Sequence, residues 1–391
     1  MREAPSSDEQ HMRRAHDLAR AGVGLVSPNP AVGAVVVDAS GREVGAATHT
    51  YDGVKHAEVL ALEQAGNAAR CGTLYLNLEP CSHQGRTGPC ADAVIAAGIR
   101  RVICSMEDPN PQVSGQGFAM LRAAGIKVEA GLFAAEAKKL NESFAKYIRR
   151  GKPLVTLKSA MTLDGKIADA TKPGTERSSE ARSAMPATEG ARSGYHWITG
   201  EVARAHVQQL RHQSDAILAG VGTVMADDPL LTDRSGLPRR RKLLRVILDS
   251  YLRIPLASRV IQTAEDDVFI LYSTAEEQTK QALAAKGIRV QQISATAEGR
   301  PDFVAIVRTL GELEITSLLL EGGALVNGAA LASGEVDKVF LYYAPKIFGE
   351  GAVPFLAGES SHGRAQCVQR YELHRFGEDF ALEGYLRDPY A

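Results

Sequence analysis

The chain has 391 residues, a length that predicts two or three domains. Apolar residues make up 45% and charged residues 23%, and the formal net charge is -1, so composition gives no reason to expect nucleic acid or an anionic membrane surface as a partner. No uninterrupted apolar stretch reaches about 18 residues, which predicts no membrane-spanning helix. The polar N-terminus lacks the apolar core of a signal peptide, and we expect a cytoplasmic protein.

The five cysteines are an odd number, which argues against a disulfide framework. Metal binding or burial is the better expectation for them. Cys71, Cys104 and Cys367 have no metal-ligating neighbours at a suitable spacing, and we interpret them as packing residues.

Strand and helix patterns alternate through the first part of the chain and predict an α/β domain with largely parallel strands. The pattern ends in a helix and a short basic linker at 141–153, so we expect domains at 1–150 and 151–391. The predicted elements are a helix at 9–22, a strand at 32–38, a helix at 56–66, a strand at 72–80, a helix at 90–98, a strand at 101–106, a helix at 118–125 and a strand at 126–131.

A second alternating series, with no detectable repeat of the first, predicts another α/β domain. The segment 169–194 has neither period, is rich in small and polar residues, and is expected to be a mobile surface excursion. The basic cluster PRRRKLLR at 238–245 is interpreted as a solvated turn, with a phosphate-attracting patch as the alternative. The predicted strands are 153–160, 214–220, 244–250, 268–273, 287–294, 316–322 and 337–345.

A histidine and two cysteines are candidates for a catalytic zinc site. HAE at 56–58 opens a predicted helix, Cys81 follows a predicted strand, and Cys90 follows Pro89 at another helix start. A catalytic zinc takes three nitrogen or sulfur ligands and keeps a fourth position for water. A helix start also favours the thiolate form of cysteine. The sequence therefore predicts that His56, Cys81 and Cys90 hold one zinc ion.

Glu58 is a candidate proton carrier beside that ion. It lies two residues after His56, and residues two apart do not share a helix face, so we expect it to face the metal-side water instead of binding the metal. HAE followed by PC and a second cysteine is the pattern of zinc nucleobase deaminases, although here eight residues separate the cysteines. The alternatives are a structural zinc site with His83 as fourth ligand, and buried cysteines without metal.

Two glycine turns in the second half are candidate phosphate cradles. EGGALVNGA at 321–329 and GVGTV at 220–224 each follow a predicted strand and open a helix, whose free N–H groups favour phosphate. Each turn alone is equally typical of an ordinary tight turn. A strand–GxGxxG–helix fingerprint is absent from the sequence, which disfavours a standard Rossmann domain.

Longer segments resemble one known family, the bifunctional riboflavin-biosynthesis deaminase/reductases. The resemblance spans nearly the whole chain, and the segments come in the order that the family has. The matching segments are SPNPAVGAVVV (27–37), HAEVLAL (56–62), LEPCSHQGRTGPC (78–90), MEDPNP (106–111), LKSAMTLDGKIA (157–168), HWITG (196–200), LRHQSDAILAGVGTVMADDPLLTDR (210–234), RVILDS (245–250), LLLEGGALVNGA (318–329) and YYAPKIFG (342–349).

The resemblance implies an α/β fold with an N-terminal cytidine-deaminase-like α/β/α domain and a C-terminal dihydrofolate-reductase-like α/β domain. It implies two consecutive steps on a small phosphorylated pyrimidine. The first removes an exocyclic amino group from a diaminopyrimidinone ribosylamine 5′-phosphate with Zn²⁺, and the second reduces the ribosyl group to ribityl with NADPH. A homo-oligomer, dimer or tetramer, is expected, with neither nucleic acid nor membrane as a partner.

In the first domain the resemblance implies the same zinc ligands, His56, Cys81 and Cys90, with Glu58 as the proton shuttle. The long spacing between the cysteines would let one loop leave the metal, reach the substrate and return. The residues that match substrate-contact positions are Asn29, His49, His83, Arg86, Asp108 and Asn110.

In the second domain the resemblance implies a cofactor site and a substrate site. Hydride transfer also needs a proton donor, for which Lys158, Asp227 and Glu321 are candidates that the sequence does not rank. Trp197 could equally be a core residue. The residues matching NADPH positions are Ala160, Trp197, Thr223, Asp227, Ser250, Gly323, Ala324, Leu325, Val326, Asn327, Gly328 and Ala329, and those matching substrate positions are Arg211, Leu231, Arg234 and Glu321.

Some residues depart from the family pattern, and other functions compete with the family's. Tyr195 and His196 stand where a Ser-Gln or Ser-Lys pair is usual, and Gln84 stands where a second histidine is common. The rival functions are a tRNA-type deaminase with an accessory domain, a non-catalytic metal-stabilised scaffold, and an enzyme that keeps only one activity. The cysteine spacing and the net charge count against the first rival, and the intact ligand set counts against the second.

Overall fold

The computed structural model describes residues 6–84, 88–169, 197–358 and 365–391. Three sheets organise these residues, a five-stranded one before residue 150, and a nine-stranded and a two-stranded one after it. We refer to the chain up to residue 150 as the first domain and to the remainder as the second domain. Of the segment 169–194, all but Asp169 lies outside the described residues, so the expected surface excursion stays a prediction.

The first domain begins with an amphipathic helix that Ser6 and Glu9 cap reciprocally. Its last helix ends at Gly151, which takes a left-handed conformation. The elements are α1 (Ser7–Ala21), β1 (Gly33–Val37), β2 (Glu43–Thr48), α2 (Ala57–Ala65), a 3-10 turn (Gly66–Ala69), β3 (Thr73–Leu76), α3 (Cys90–Ala96), β4 (Arg101–Cys104), α4 (Gln116–Ala123), β5 (Lys127–Ala130), α5 (Ala134–Leu140) and α6 (Glu142–Arg150).

The strands of the first sheet lie in the order β2-β1-β3-β4-β5. Strand β1 is antiparallel to both of its neighbours, and only β3, β4 and β5 run parallel. The expectation of largely parallel strands is therefore wrong for this sheet. The sequence pattern missed β2 because its sequence EVGAAT has little of the β-branched and aromatic content that marks a strand. A tight turn around Asp38 joins β1 and β2 as a hairpin.

Helices cover both faces of this sheet, which confirms the expected three-layer α/β/α arrangement. Met12 and Ala15 of α1 pack on one face, and α2, α3 and α4 pack on the other. Helix α2 lies so close to β2 that a Cβ at Gly45 would come 2.1 Å from the carbonyl oxygen of Ala61. Only glycine permits this approach, which fixes α2 against the sheet.

The second domain places a long parallel sheet beside a C-terminal hairpin. Its elements are β6 (Leu154–Thr162), β7 (Lys166–Ala168), α7 (Glu201–His212), β8 (Ala216–Gly220), α8 (Val221–Asp227), β9 (Leu244–Leu248), α9 (Arg259–Gln262), β10 (Val268–Tyr272), α10 (Glu277–Ala284), β11 (Arg289–Gln292), α11 (Phe303–Glu312), β12 (Ser317–Leu320), α12 (Ala324–Ser333), β13 (Lys338–Ala344), β14 (Val353–Pro354), β15 (Gln369–Phe376) and β16 (Asp379–Tyr385).

The strand order of this sheet is β11-β10-β9-β8-β12-β6-β13-β16-β15. The strands from β11 to β13 are all parallel, as the sequence predicts, and each predicted strand is present near its expected position. The antiparallel pair β15–β16 was missed, because β15 is largely exposed and its sequence QRYELHRF lacks a buried apolar run. Helices α11 and α12 pack on one face and α7 to α10 on the other.

No helix among the described residues combines the length and the apolar character that a membrane crossing requires. The three cysteines outside the candidate zinc site differ in exposure. Cys104 is buried, as a packing residue should be, but Cys71 and Cys367 are exposed, so the packing interpretation is wrong for these two. Cys71 lies in a turn and has a positive φ of 62°.

Candidate active sites

Three element ends bring the candidate zinc ligands together in the first domain. His56 is the N-cap residue of α2, Cys90 is the first residue of α3, and Cys81 lies beyond the end of β3. His56 Nδ1 is 3.2 Å from Cys90 Sγ and 3.6 Å from Cys81 Sγ. Tetrahedral zinc with bonds of about 2.3 Å to sulfur and about 2.0 Å to nitrogen sets these separations near 3.5 Å. The three ligand atoms therefore fit a zinc ion.

The local hydrogen bonds favour a thiolate at Cys81. The side chain of Cys90 donates to Cys81, and this hydrogen bond, together with His56, lowers the pKa of the Cys81 thiol to about 4 even though burial opposes the shift. The backbone N–H of Cys90 also donates to Cys81 Sγ at 3.3 Å. A metal ion displaces the protons of the thiols that bind it. A site that already stabilises one thiolate is therefore prepared to bind a metal ion.

Glu58 lies beside the three ligands and is buried, with 3% of its surface exposed. Burial raises the pKa of its carboxyl group to about 7. Within the described part of the chain, its Oε2 atom has no hydrogen-bond partner. An unpartnered buried carboxyl oxygen next to three zinc-type ligands suits a group that exchanges protons with a water at the metal. These observations favour a catalytic site over the alternatives of a structural zinc site and metal-free cysteines.

Asn29 and His49 form a pair at the edge of the zinc site. Asn29 Nδ2 lies 2.9 Å from His49 Nε2, and His49 Nδ1 lies 3.0 Å from the carbonyl oxygen of Lys55. Since the carbonyl can only accept, His49 carries its proton on Nδ1 and accepts from Asn29 on Nε2. The rings of His49 and His56 are 5.2 Å apart, so this pair is next to the metal ligands.

The other expected substrate contacts of the first domain occupy the loops after β3 and β4. Asp108 is buried, and burial raises the pKa of its carboxyl group to about 6. It accepts from the backbone N–H of Asn110 at 2.8 Å. His83 is exposed but near enough for its charge to act on Asp108. Arg86 lies outside the described residues, so its expected contact stays a prediction.

Two buried residues that the sequence did not reveal hold segments around this site in place, Glu79 the loops after β3 and β4 and Asn77 the segment before β1. Glu79 accepts from the backbone N–H groups of Asp108, Gly115 and Phe118 at 2.9–3.1 Å. Asn77 bridges the backbone of Ala31 and Gly33. Glu79 belongs to the segment LEPC. The one sequence feature that could have indicated its role is that this acidic residue stands between apolar residues, where a buried position is expected.

The second domain contains a partly buried charge network where Glu321, which follows β12, meets Lys158 in the middle of β6. Glu321 is paired with Arg211 at 2.8 Å and with Lys158 at 3.4 Å. Burial alone would raise the pKa of Glu321, but the positive charges of Lys158 and Arg211 outweigh it and lower the pKa to about 2. Of the other two substrate candidates, Leu231 is buried and Arg234 is exposed.

The two glycine turns meet at the same edge of the second sheet. They follow the neighbouring strands β8 and β12, and a Cβ at Gly323 would lie 3.5 Å from Thr223 Oγ1. A Cβ at Gly220 would lie 2.8 Å from the side chain of Val326. Gly323 caps α12 without a side-chain hydrogen bond, which leaves the first N–H groups of this helix open to a phosphate. The arrangement fits a dinucleotide such as NADPH.

The remaining cofactor candidates are spread around this edge. Ser250 follows β9, next to β8, and Ala160 lies on β6 opposite Tyr342. Trp197 has 58% of its surface exposed, with the guanidinium of Arg204 stacked 4.9 Å from its ring, so the core alternative for Trp197 is wrong. Asp227 ends α8 and is exposed. Asn327 and Gly328 are buried, Leu325 is exposed, and Ala324, Val326 and Ala329 are half-buried.

Comparisons with known proteins match both domains. The family model described as the RibD C-terminal domain matches residues 153–382, and the one described as the cytidine and deoxycytidylate deaminase zinc-binding region matches residues 5–106. The riboflavin biosynthesis protein RibD of Aquifex aeolicus (strain VF5) is 39% identical over 96% of this chain and 97% of its own. That of Escherichia coli (strain K12) is 40% identical over 96% of this chain and 98% of its own.

Solved structures agree with these matches. Form 1 of RibD from Acinetobacter baumannii has a TM-score of 0.78 and 33% identity, covering 97% of this chain and 98% of its own. A diaminohydroxyphosphoribosylaminopyrimidine deaminase/5-amino-6-(5-phosphoribosylamino)uracil reductase from Thermotoga maritima has a TM-score of 0.74 and 34% identity, with the same coverage. The chain therefore belongs to the RibD family of riboflavin biosynthesis proteins.

Proposed function

We infer that this chain is a bifunctional enzyme of riboflavin biosynthesis, a zinc-dependent deaminase joined to an NADPH-dependent reductase. The first step hydrolyses the exocyclic amino group of 2,5-diamino-6-ribosylamino-4(3H)-pyrimidinone 5′-phosphate and releases ammonia. The second reduces the ribosyl group of the product to ribityl. The observation that carries the proposal is the presence, in one chain, of a complete zinc ligand set beside a buried acid and of a glycine-turn edge beside a partly buried Lys158–Glu321–Arg211 network.

In the deaminase step, zinc held by His56, Cys81 and Cys90 would supply a water activated for attack on the ring carbon. Glu58 takes the proton of that water and hands it to the departing amine. A carboxyl group with a pKa of about 7 suits both halves of this transfer, because it gains and loses a proton near neutral pH. We propose that Asn29, His49, His83, Arg86, Asp108 and Asn110 bind the pyrimidine and the ribose phosphate.

In the reductase step, NADPH bound at the glycine turns would supply the hydride. The chain's own contribution is to hold the sugar and to deliver a proton as the ring opens. We propose Lys158 as the donor, because its ammonium group has protons to give while Glu321 is held as a carboxylate. Glu321 then orients Lys158 and Arg211, and Arg211 and Arg234 suit the substrate phosphate. Asp227 is exposed, which makes it the weaker donor candidate.

We also propose where the two domains divide, how the chain assembles and in which compartment it works. The division at residue 150 falls between α6 and β6, where the chain leaves the first sheet for the second. The outer strand β15 and its neighbour expose Tyr371, Leu373 and Phe380, which supports a homo-oligomer, dimer or tetramer, formed through this edge. A zinc site with thiolate ligands and two exposed cysteines supports a reducing compartment, the cytoplasm.

The direct test is to incubate the purified enzyme with the diamino substrate, with and without NADPH. Ammonia release should occur in both cases, and NADPH should be consumed only after deamination. Ammonia release without NADPH oxidation would mean that the chain has only the deaminase activity. Failure to release ammonia from the diamino substrate by a zinc-loaded enzyme would contradict the proposal.

A further inference from the structure

The basic turn Pro238–Arg241 of the second domain extends toward the first domain. Arg239 points back into its own domain, where it donates to the carboxylate of Asp233 at 2.9 Å and to the carbonyl oxygen of Ser214 at 2.8 Å. Arg240 and Arg241 point toward the first domain instead. The cluster is therefore neither a solvated turn nor a free phosphate patch, and both interpretations of it from the sequence are wrong.

Arg240 contacts two separate segments of the first domain at once. Its Nη1 donates to the carbonyl oxygen of Ser27 at 2.9 Å, and its Nε donates to Asp52 at 3.2 Å. Its guanidinium carbon lies 3.7 Å from the centre of the Tyr51 ring. Its backbone N–H adds a bond to the carbonyl oxygen of Gly24 at 2.8 Å. One planar guanidinium thus joins the segment 24–29 to the segment 49–52 by stacking and by hydrogen bonds in its own plane.

Arg241 contacts Ser27 as well, next to Arg240. Its Nη2 donates to Ser27 Oγ at 3.0 Å and to the carbonyl oxygen of Glu314 at 2.7 Å. Ser27 Oγ in turn donates to the buried carboxylate of Asp215 at 2.8 Å. Ser27 is therefore held on both sides by residues of the second domain, while Asp52 is mostly exposed and adds little.

These two clamped segments carry two residues of the deaminase site. Asn29 is two residues after Ser27, and His49 is two residues before Tyr51. The segments are joined to each other by the bond from the Tyr51 N–H to the Leu25 carbonyl oxygen and by the Asn29–His49 pair. The His49 ring contacts the ring of the zinc-ligand candidate His56. A shift of either segment would thus move the side chains that line the metal site.

We propose that Arg240, a residue of the reductase domain, is a positioning residue for the deaminase reaction. It sets the distance between the Asn29 and the His49 segments and so aligns the substrate beside the zinc site. This proposal rests on the deaminase function proposed above. It assigns to the second domain a part in the first reaction, which makes the deaminase site incomplete without its reductase neighbour.

The test compares Arg240→Ala, Arg239→Ala and Lys242→Ala in the full-length, zinc-loaded enzyme. For Arg240→Ala we expect kcat/KM of ammonia release to fall about tenfold, mostly through KM, because substrate alignment and not the proton carrier is changed. Reduction of the deaminated intermediate and zinc content should stay within about twofold of wild type. In the described part of the chain Lys242 pairs only with Glu265 of its own domain, so it serves as the surface control. Arg239→Ala should weaken reduction more than deamination, since Asp233 adjoins the substrate candidate Arg234.

A second variant keeps the test decisive if Arg240→Ala loses both activities through misfolding. Tyr51→Leu removes the stacking partner from the first domain, whereas Tyr51→Phe retains the ring. We expect a raised KM for deamination in Tyr51→Leu and a value near wild type in Tyr51→Phe. Unchanged deamination kinetics in Arg240→Ala, or in Tyr51→Leu when Arg240→Ala does not fold, would overturn the proposal. A wild-type enzyme that releases no ammonia would instead refute the proposed function, so the two failures are distinguishable.

Discussion

Glu58 is the residue whose position in the fold bears most directly on the proposed chemistry. Helix α2 starts at Ala57 with His56 as its N-cap residue, so Glu58 is the second residue of the helix and turns into the protein beside the metal ligands. Its burial, and an Oε2 atom without a hydrogen-bond partner among the described residues, would be unfavourable in a residue that served only stability. Both features are expected of the proton carrier that we propose beside the zinc site.

Glu58→Gln preserves the shape of the side chain and removes its ability to carry a proton. We expect ammonia release to fall by about 100- to 10,000-fold while bound zinc is retained, since Glu58 is not a ligand. Metal content after dialysis and ammonia release measured on the same sample check both parts. Reduction of the deaminated intermediate serves as the internal control and should be unchanged. Loss of zinc together with activity would instead make Glu58 part of the metal site.

Lys158→Met tests the proton donor of the reductase. We expect the rate of NADPH oxidation with the deaminated intermediate to fall about 100-fold or more, while ammonia release from the diamino substrate is retained. Lys152→Met is the matched control, because Lys152 pairs with Glu335 just before the same strand. If Lys158→Met oxidised NADPH at the wild-type rate, the proton donor would have to be Asp227 or Glu321 instead.

At the residue scale, the sequence predicted best where chemistry fixes the spacing. His56, Cys81 and Cys90 could be proposed as zinc ligands because a zinc site requires these residue types, and the structure brings their ligand atoms together. Glu79 could not, since its role depends on three backbone N–H groups that only the folded loops bring to one carboxylate. The exposure of Trp197 was equally hidden, because an isolated aromatic residue is compatible with a core or a surface position.

Among the elements, helix α4 and the loop before it depend on Glu79. A Cβ at Gly117 would lie 2.0 Å from the carbonyl oxygen of Pro80, so α4 packs directly against the segment that leads to Cys81. Glu79 accepts from the N–H groups of Gly115 and Phe118 at the start of this helix and from that of Asp108. The carboxylate thus holds α4 and a substrate candidate in one arrangement.

Glu79→Ala would leave these three N–H groups without their acceptor. We expect the free energy of unfolding to fall by about 3 kcal/mol, and KM for deamination to rise because Asp108 is released. Chemical denaturation and steady-state kinetics measure the two effects. Glu107→Ala, a change of an exposed neighbour of Asp108, should change neither quantity. A stability for Glu79→Ala equal to that of the control would contradict this role.

Helix α1 carries a buried histidine that makes the first domain sensitive to acid. His16 Nε2 lies 2.8 Å from Ser105 Oγ, whose hydroxyl donates to the sulfur of Met12, so Nε2 holds the proton. Its Nδ1 is buried, with no partner in the described ranges, and burial lowers the pKa of His16 from 6.5 to about 4. Between these two values the unfolded chain binds a proton that the folded chain does not, so stability falls as the pH falls.

His16→Gln should remove this part of the acid sensitivity. Between pH 7 and pH 5 we expect the wild type to lose about 2 kcal/mol more stability than the variant. Denaturant unfolding at both pH values gives the comparison. His11→Gln, on the same helix, controls for the loss of a histidine as such. Equal pH dependence in wild type and His16→Gln would show that His16 is not buried in its neutral form.

The strands of both domains could be predicted wherever a continuous β-branched or apolar run is buried on both faces. Strands β1, β8, β9 and β10 are such runs, and their predicted positions agree with the structure within a few residues. The strands β2 and β15 could not be predicted in this way, because one is rich in small residues and the other is exposed. The missed β2 is also the reason that the pairing of the first sheet was predicted wrongly.

At the scale of the molecule, two groups of contacts among the residues that the structure describes hold one domain against the other. The first is the clamp around Ser27 and Arg240. The second joins α5 and α6 to the C-terminal strands through ion pairs, Lys139 with Glu383, Lys338 with Glu142 and Lys146 with Asp337. Several of these charges are buried, and breaking a buried pair is strongly destabilising. The domain arrangement itself had no signal in the sequence, since it depends on pairs more than 180 residues apart.

The central claim is that one chain performs deamination and then reduction, in that order and at separate sites. The most direct measurement follows ammonia release and NADPH oxidation together, from the diamino substrate, in wild type and in Glu58→Gln. We predict that the wild type gives equal amounts of both products with ammonia appearing first. Glu58→Gln should give neither from the diamino substrate but should oxidise NADPH normally when supplied with the deaminated intermediate. NADPH oxidation by Glu58→Gln on the diamino substrate itself would contradict the account.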